Sequence, residues 1–205
     1  VTGAIDLGND LSGVALTEAA NNTVGGTVPG AGNVISGNGN GGVRINSSTA
    51  TQNLVQGNKI GTRADGITSL ANSGHGVLFL NSASMNTIGG VAGEGNIIAF
   101  NINAGVKVET GTGNAVTANS IFSNTGLGID LGANGVTAND LNDPDSGANT
   151  LQNFPVLTTS NGGIGGGVNI QGTLNSTSNT TFTLHFYSNT TCDGSGNGEG
   201  QTFLG

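Results

Sequence analysis

Only four lysines and arginines occur among the 205 residues, and two of them, Arg44 and Lys107, occupy the same place in a recurring pattern. Each is the middle residue of a glycine-led apolar triplet: Gly42 opens Val43-Arg44-Ile45, and Gly105 opens Val106-Lys107-Val108. The equivalent positions of three further triplets hold Ala15, Leu78 and Asp130. An arginine or lysine in such a column could act as the base of a lyase on an acidic sugar, with calcium neutralising the sugar carboxylate. Lys107 and Asp130 stand one repeat apart, within reach of an ion pair, which contributes only about 0–1 kcal/mol if exposed. Arg44, Leu78, Lys107 and Asp130 are therefore the candidates for ligand contact, and Arg44, Lys107 and Asp130 the weaker candidates for catalysis. The plainer reading of the same column is a solvent-facing strand position that carries charge to discourage edge pairing. No acidic cluster able to hold calcium shares the column, and this favours the plainer reading.

Other chemistry has less to build on. Glycoside hydrolysis needs two carboxylates roughly 5–9.5 Å apart. Asp6, Glu18, Asp65, Glu94, Glu109 and Asp130 fall at different points of the repeat, so a pair would have to recruit the loop acids Asp140, Asp143 and Asp145. The run Asp140-Leu141-Asn142-Asp143-Pro144-Asp145-Ser146-Gly147 offers oxygens from Asp140, Asn142, Asp143 and Asp145 to a hard cation such as calcium. Its spacing is not that of an EF-hand, and an ordinary turn of turn-forming residues accounts for it equally. His75 and His185 have no serine or cysteine nucleophile near them in sequence. Thr23 and Thr87 are interrupted by Leu54 and Ala115, so no flat threonine array for ice binding forms.

The elements that would carry these residues are legible from their spacing. The triplets recur at intervals of 29, 34, 29 and 23 residues, each preceded by an asparagine four residues before its glycine: Asn9, Asn38, Asn72, Asn101 and Asn124. A second strand begins at Asn22, Asn53, Asn86 and Asn114, and a third at Asn33, Asn58, Asn96 and Asn119. Two residues beyond these asparagines stand Val24, Val55, Ile88 and Val116, then Ile35, Ile60, Ile98 and Ile121, while the residues between vary freely. One invariant apolar position with period-two alternation puts one face inside and the other outside. Length changes fall at corners, in residues 25–32, 61–73 and 89–95, as a stacked solenoid tolerates. A helical solenoid would need a 3.6-residue period, and interior glycines would cost each helix about 1 kcal/mol. The pattern predicts an all-β fold, a right-handed parallel β-helix of three short strands per coil and about five coils. The asparagine columns are expected to form rung-to-rung ladders, with asparagine itself tolerating left-handed corners.

After Leu131 the pattern stops. Residues 153–157, Asn-Phe-Pro-Val-Leu, read as an apolar plug over the open end of the stack. A glycine-rich linker over residues 162–167 leads to strand-like alternation at residues 168–172 and 181–187, a partial second β module. The expected domains are residues 1–157, the β-helix with its cap, and 158–205, linker and partial module. Two or three strands are barely self-supporting, so this module is expected to lean on a neighbour or to continue.

The net charge of −8 excludes a basic stripe, so nucleic acid and anionic membrane surfaces are poor partners. No apolar run is long enough for membrane insertion, and Val1 does not open a leader, so any signal peptide would lie upstream. Cys192 is the only cysteine, which rules out a disulfide framework or thiolate metal site and reads as a partly buried bystander. A composition rich in Asn, Thr, Ser and Gly and poor in charge suits a secreted or cell-surface bacterial protein.

The runs Gly32-Asn33-Val34-Ile35-Ser36-Gly37-Asn38, Asn53-Leu54-Val55-Gln56-Gly57-Asn58 and Asn86-Thr87-Ile88-Gly89-Gly90 resemble parallel β-helix repeats of large bacterial secreted and surface proteins, in the pectin-lyase-like superfamily. Residues 128–132 and 151–157 are similar to the closing segment of such arrays, which an immunoglobulin-like β module follows. The resemblance implies fold but not activity, because that superfamily holds lyases, glycoside hydrolases, epimerases, tailspikes and adhesins. The expectation is a non-catalytic structural or adhesion module of a larger protein, joined to neighbouring domains, with weak binding of polysaccharide or cell-surface glycan along one strand face. No cofactor is expected, and calcium at the acidic loop is the one candidate. The alternative is a polysaccharide lyase or glycoside hydrolase with its site on the outer face of the glycine-led strands. Short, glycine-rich insertions, poor walls for a substrate groove, favour the first reading. Replacing Ile98 with Asp would place an unpaired charge in the core, so the far-UV circular dichroism of that variant should be that of an unfolded chain.

Overall fold

The computed structural model describes residues 7–162, 167–191, 193 and 196–205. Expectations about Val1, Asp6, the interior of the glycine linker and Cys192 lie outside the described residues.

Thirteen short strands pile into three parallel sheets. The first sheet holds β1 (Val14–Thr17), β4 (Val43–Asn46), β7 (Val77–Leu80), β10 (Val106–Val108) and β13 (Ile129–Leu131). The second holds β2 (Thr23–Gly25), β5 (Leu54–Gln56), β8 (Thr87–Gly89) and β11 (Ala115–Thr117). The third holds β3 (Val34–Ile35), β6 (Lys59–Ile60), β9 (Ile97–Ala99) and β12 (Ser120–Phe122). The strands follow one another around the coil, and each pairs with its counterpart one coil later, which makes the body a parallel β-helix. Two antiparallel pairs complete the chain, β14 (Val156–Gly162) with β15 (Val168–Thr173) and β16 (Tyr187–Ser188) with β17 (Thr202–Phe203).

Register follows the apolar columns. Val24 pairs with Val55, Val55 with Ile88 and Ile88 with Val116; Ile35, Ile60, Ile98 and Ile121 form the matching series. Val43, Ile45, Val77, Phe79, Val106 and Val108 are fully buried with them in one core. A one-residue slip would turn all of these side chains to water, so the pairing is specified by burial alone.

Three asparagine ladders run the length of this core. In the second-strand ladder, Asn22 donates to Asn53, Asn53 to Asn86 and Asn86 to Asn114, in each case through both its backbone N–H and its Nδ2 to the next Oδ1, at 2.9–3.1 Å. The remaining Nδ2 hydrogen reaches back to a carbonyl of the preceding coil, as from Asn86 to Ala50. Asn33, Asn58, Asn96 and Asn119 repeat the arrangement, and so do Asn9, Asn38, Asn72, Asn101 and Asn124, except that Asn72 donates to Asn101 through Nδ2 alone. A buried amide ordinarily costs a few kcal/mol when unpaired, and here its polar atoms have partners.

The corners differ from expectation in one respect. The left-handed residue is the one before the ladder asparagine: Asn21, Gln52, Met85 and Gly113 in one ladder, Gly37, Phe100 and Ser123 in another. The ladder asparagines need an extended entry so that N–H and Nδ2 both face the next coil, and the turn is displaced one position upstream.

The plug at residues 153–157 is also elsewhere. Phe154, Val156 and Leu157 are exposed. The core is closed instead by a 3-10 turn, Ala148–Leu151, with Ala148 buried and Leu151 packed on the core beside Leu131. Asn149 takes the next place in the second-strand ladder, accepting from the Asn114 N–H at 3.0 Å and donating its Nδ2 to the Asn114 carbonyl. Pro155 and its neighbours leave the stack to begin β14.

Replacing Asn86 with Ala would strand the N–H and Nδ2 donors of Asn53. At about 1–3 kcal/mol per buried orphan, urea unfolding should show a loss of several kcal/mol. Asn81→Gly, which removes an exposed bond to Asn46 at a left-handed position that glycine also accepts, should stay within about 0.5 kcal/mol of the parent.

Candidate functional site

The middle residues of the first-sheet strands are in register: Ala15 with Arg44, Arg44 with Leu78, Leu78 with Lys107 and Lys107 with Asp130. The candidate column therefore exists as a physical row on the outer side of the sheet. Its two ends differ.

Lys107 and Asp130 form an ion pair, Nζ to Oδ2 at 2.9 Å, with side-chain exposures of 1% and 7%. Exposure expected for an outward position is lost because the chain after β13 folds back across it. The Lys107 ammonium donates to the Ala133 carbonyl at 3.1 Å, the Gly135 N–H donates to Asp130 Oδ2 at 3.3 Å, and the Thr137 hydroxyl donates to the Leu131 carbonyl at 3.2 Å. Asp130 Oδ1 is buried without a partner. The surface value for an exposed pair does not apply to this one. A sealed pair gains strong attraction at low dielectric and loses hydration of both ions, so its net contribution is small while breaking it is costly.

Beside the pair, His75 is half-buried at the entry to β7, and its Nδ1 accepts from the Ala104 N–H at 3.2 Å. Burial pushes its pKa below the ordinary 6.5, the Lys107 charge adds to this, and Asp130 and Glu109 oppose it. At neutral pH the ring is therefore uncharged, with the Ala104 bond placing its proton on Nε2.

At the other end, Arg44 and Leu78 are half-buried and Ala15 is exposed. Arg44 has no hydrogen bond or ion-pair partner among the described residues. This open half can offer a forked cation and an aliphatic surface to a ligand, without a base or acid pair next to them. Two shallow, open depressions lie elsewhere, in the C-terminal segment. One of about 300 Å³ is lined by Val168, Ile170, Phe186 and Leu204, and one of about 490 Å³ by Asn189, Thr190, Thr191 and Asp193.

In the acidic loop the Asp143 carboxylate is taken up by internal bonds. Asp143 Oδ1 accepts from the Asn153 N–H at 3.3 Å, and its Oδ2 accepts from the Ser176 hydroxyl. Asp140 and Asn142 donate their backbone N–H groups to Asn153 and Asn175, at 3.1 and 2.6 Å. Asp140, Asp143 and Asp145 do not gather into a group able to hold a metal ion, nor do any other acids, histidines or cysteines among the described residues. Asp140 Oδ1 is buried without a partner, and the loop fastens residues 139–143 to 153–154 and 175–177.

Sequence reasoning missed two residues that complete the stack, Asn149 and Glu199. Asn149 could have been found as an asparagine 35 positions beyond Asn114, close to the longest repeat interval. Glu199 carries no local signal.

Fold and surface together define the protein as a parallel β-helix with an asparagine-laddered core. None of its described helices is long and apolar enough to cross a membrane. Comparison with known families, curated proteins and solved structures finds no match to this chain.

Truncating Lys107 to Ala would leave the Asp130 carboxylate buried and unpaired. Urea unfolding should then show a loss of about 3–5 kcal/mol, whereas the paired change Lys107→Met with Asp130→Leu should be close to neutral or stabilising.

Proposed function

We propose that this chain is a non-catalytic structural and adhesion module of a larger secreted or cell-surface bacterial protein. In this reading it is a rigid stalk of the pectin-lyase-like type, followed by part of an immunoglobulin-like module and neighbouring domains. The ligand is a polysaccharide or cell-surface glycan, bound weakly on the open half of the first sheet. The observation that carries the reading is the sealing of the Lys107–Asp130 pair. The two charges best placed in sequence to act on a substrate hold down residues 132–137 instead. The ladders support it further, since most buried polar side chains join one coil to the next.

On this reading Arg44 is the chief polar contact, its guanidinium donating to sugar oxygens over the aliphatic face of Leu78. A glycan array probed with the parent and with Arg44→Ala, each with and without calcium, tests it. Binding should be weak, independent of calcium and about ten- to a hundredfold weaker in the variant, as the loss of a charged hydrogen bond predicts. Full retention of binding by a folded Arg44→Ala chain would move the ligand off this face. Release of unsaturated or reducing sugar ends from any bound polysaccharide would overturn the non-catalytic assignment.

A further inference from the structure

The ladder that runs through Asn9, Asn38, Asn72, Asn101 and Asn124 does not stop at its last asparagine. Glu199, 75 residues further along the chain, sits in the next place. Its Oε1 accepts from both the backbone N–H of Asn124, at 3.2 Å, and its Nδ2, at 2.8 Å. Asn101 presents the same two donors to Asn124 Oδ1, at 3.1 and 2.8 Å. The residues that follow run back along the edge of β12, in the direction opposite to its strand. The Ile121 N–H donates to the Gly200 carbonyl at 2.8 Å, and the Ser120 hydroxyl donates to the Gln201 carbonyl at 2.6 Å. Asn189 holds the segment from behind, donating to the Glu199 carbonyl and accepting from the Gln201 N–H at 2.8 Å.

We propose that residues 199–201 form a docking clasp in which the Glu199 carboxyl stands in for a ladder asparagine, and that the clasp tightens when this carboxyl is neutral. The slot is built for an uncharged amide oxygen. A protonated carboxyl meets the requirement, with Oε1 still accepting both Asn124 bonds. An ionised one accepts the same bonds but brings a half-buried negative charge with it.

The groups facing Glu199 explain why neutrality matters. The last coil presents Ser123 and Asn124, which carry no charge; Gly128 lies against the Glu199 side chain; and the charged group brought up by its own segment is the Asp193 carboxylate. Burial raises the carboxyl above its ordinary 4.5 and Asp193 raises it further, while the Asn124 bonds pull the other way. A carboxyl whose pKa is raised on docking favours the docked state when protonated. That stabilisation is complete below the ordinary value and is lost as pH rises through the docked value.

Tyr187 reports on the clasp without a label. It is the only tyrosine, there is no tryptophan, and its ring lies against Gly200, bonded to the backbone at Ala118. Acrylamide quenching of its fluorescence in the full chain, followed from mildly alkaline to acidic pH, gives the test. In the parent, quenching should fall severalfold as the pH drops. Glu199→Gln, an uncharged isostere, should be protected at every pH, and Glu199→Ala accessible at every pH. Hydrogen exchange at the Ile121 amide should follow the same three patterns, while the Val77 amide, deep in the stack, stays protected in all of them. A parent with no pH response would overturn the proposal. So would protection retained in Glu199→Ala. A response surviving unchanged in Glu199→Gln would assign it to another group and overturn the proposal as well.

Discussion

Every feature of this protein depends on one constraint: successive coils must stack in register so that each asparagine amide meets the one above and below it. Asn58 shows what the constraint achieves. Its Oδ1 receives two bonds from Asn33, and its Nδ2 donates forward to Asn96 and back to the Val24 carbonyl, so one side chain ties three coils together. The amide is almost fully buried, where an unpaired polar group would be destabilising. A coil shifted by one residue would break the ladders and expose the aliphatic columns at once. Hydrogen bonding and burial thus select the same register, the kind of agreement between levels that makes a fold well specified. The left-handed residues before the asparagines, including Gln52, Met85 and Phe100, are the conformational cost, on the order of 1 kcal/mol each for a residue with a side chain.

The same logic explains why the most suggestive charges are not chemically available. An outward lysine one rung from an outward aspartate reads in sequence as a surface pair. Residues 132–137 turn it into a buried one, using its charges to anchor the chain as it leaves the last coil. The cover reaches only the last two rungs, which leaves Arg44 and Leu78 as the accessible part of the row.

The end of a β-helix is its weak point, since the last coil has unpaired strand edges, an open core and ladders with nothing above them. Here the closure is divided. Ala148 and Leu151 cover the apolar core, Asn149 extends one ladder, and Glu199 extends another while Gly200 and Gln201 accept bonds from the edge of β12. The β16–β17 pair meets the stack through this segment, with Asn189 bonded to Glu199 and Gln201 and Tyr187 lying against Gly200. The acidic loop belongs to the same closure, with Asp143 and Asn153 bridging to Ser176 and Asn175.

The sequence alone determined the parallel coils, the three sheets, their register and the identity of the core. These follow from local spacing repeated several times: Val24, Ile35 and their counterparts stand two residues after an asparagine in every coil, and repetition turns a weak local preference into a specified stack. It also placed Arg44, Leu78, Lys107 and Asp130 in one row. Only the tertiary structure decided that half of this row is buried, that the apolar run at residues 153–157 stays at the surface, and that Glu199 completes a ladder begun at Asn9. Each of these is a single contact between segments with no periodic relation to one another. Periodicity can report what every coil does, whereas a contact made once, between a coil and a non-repeating segment, leaves no pattern in the chain from which it could be read.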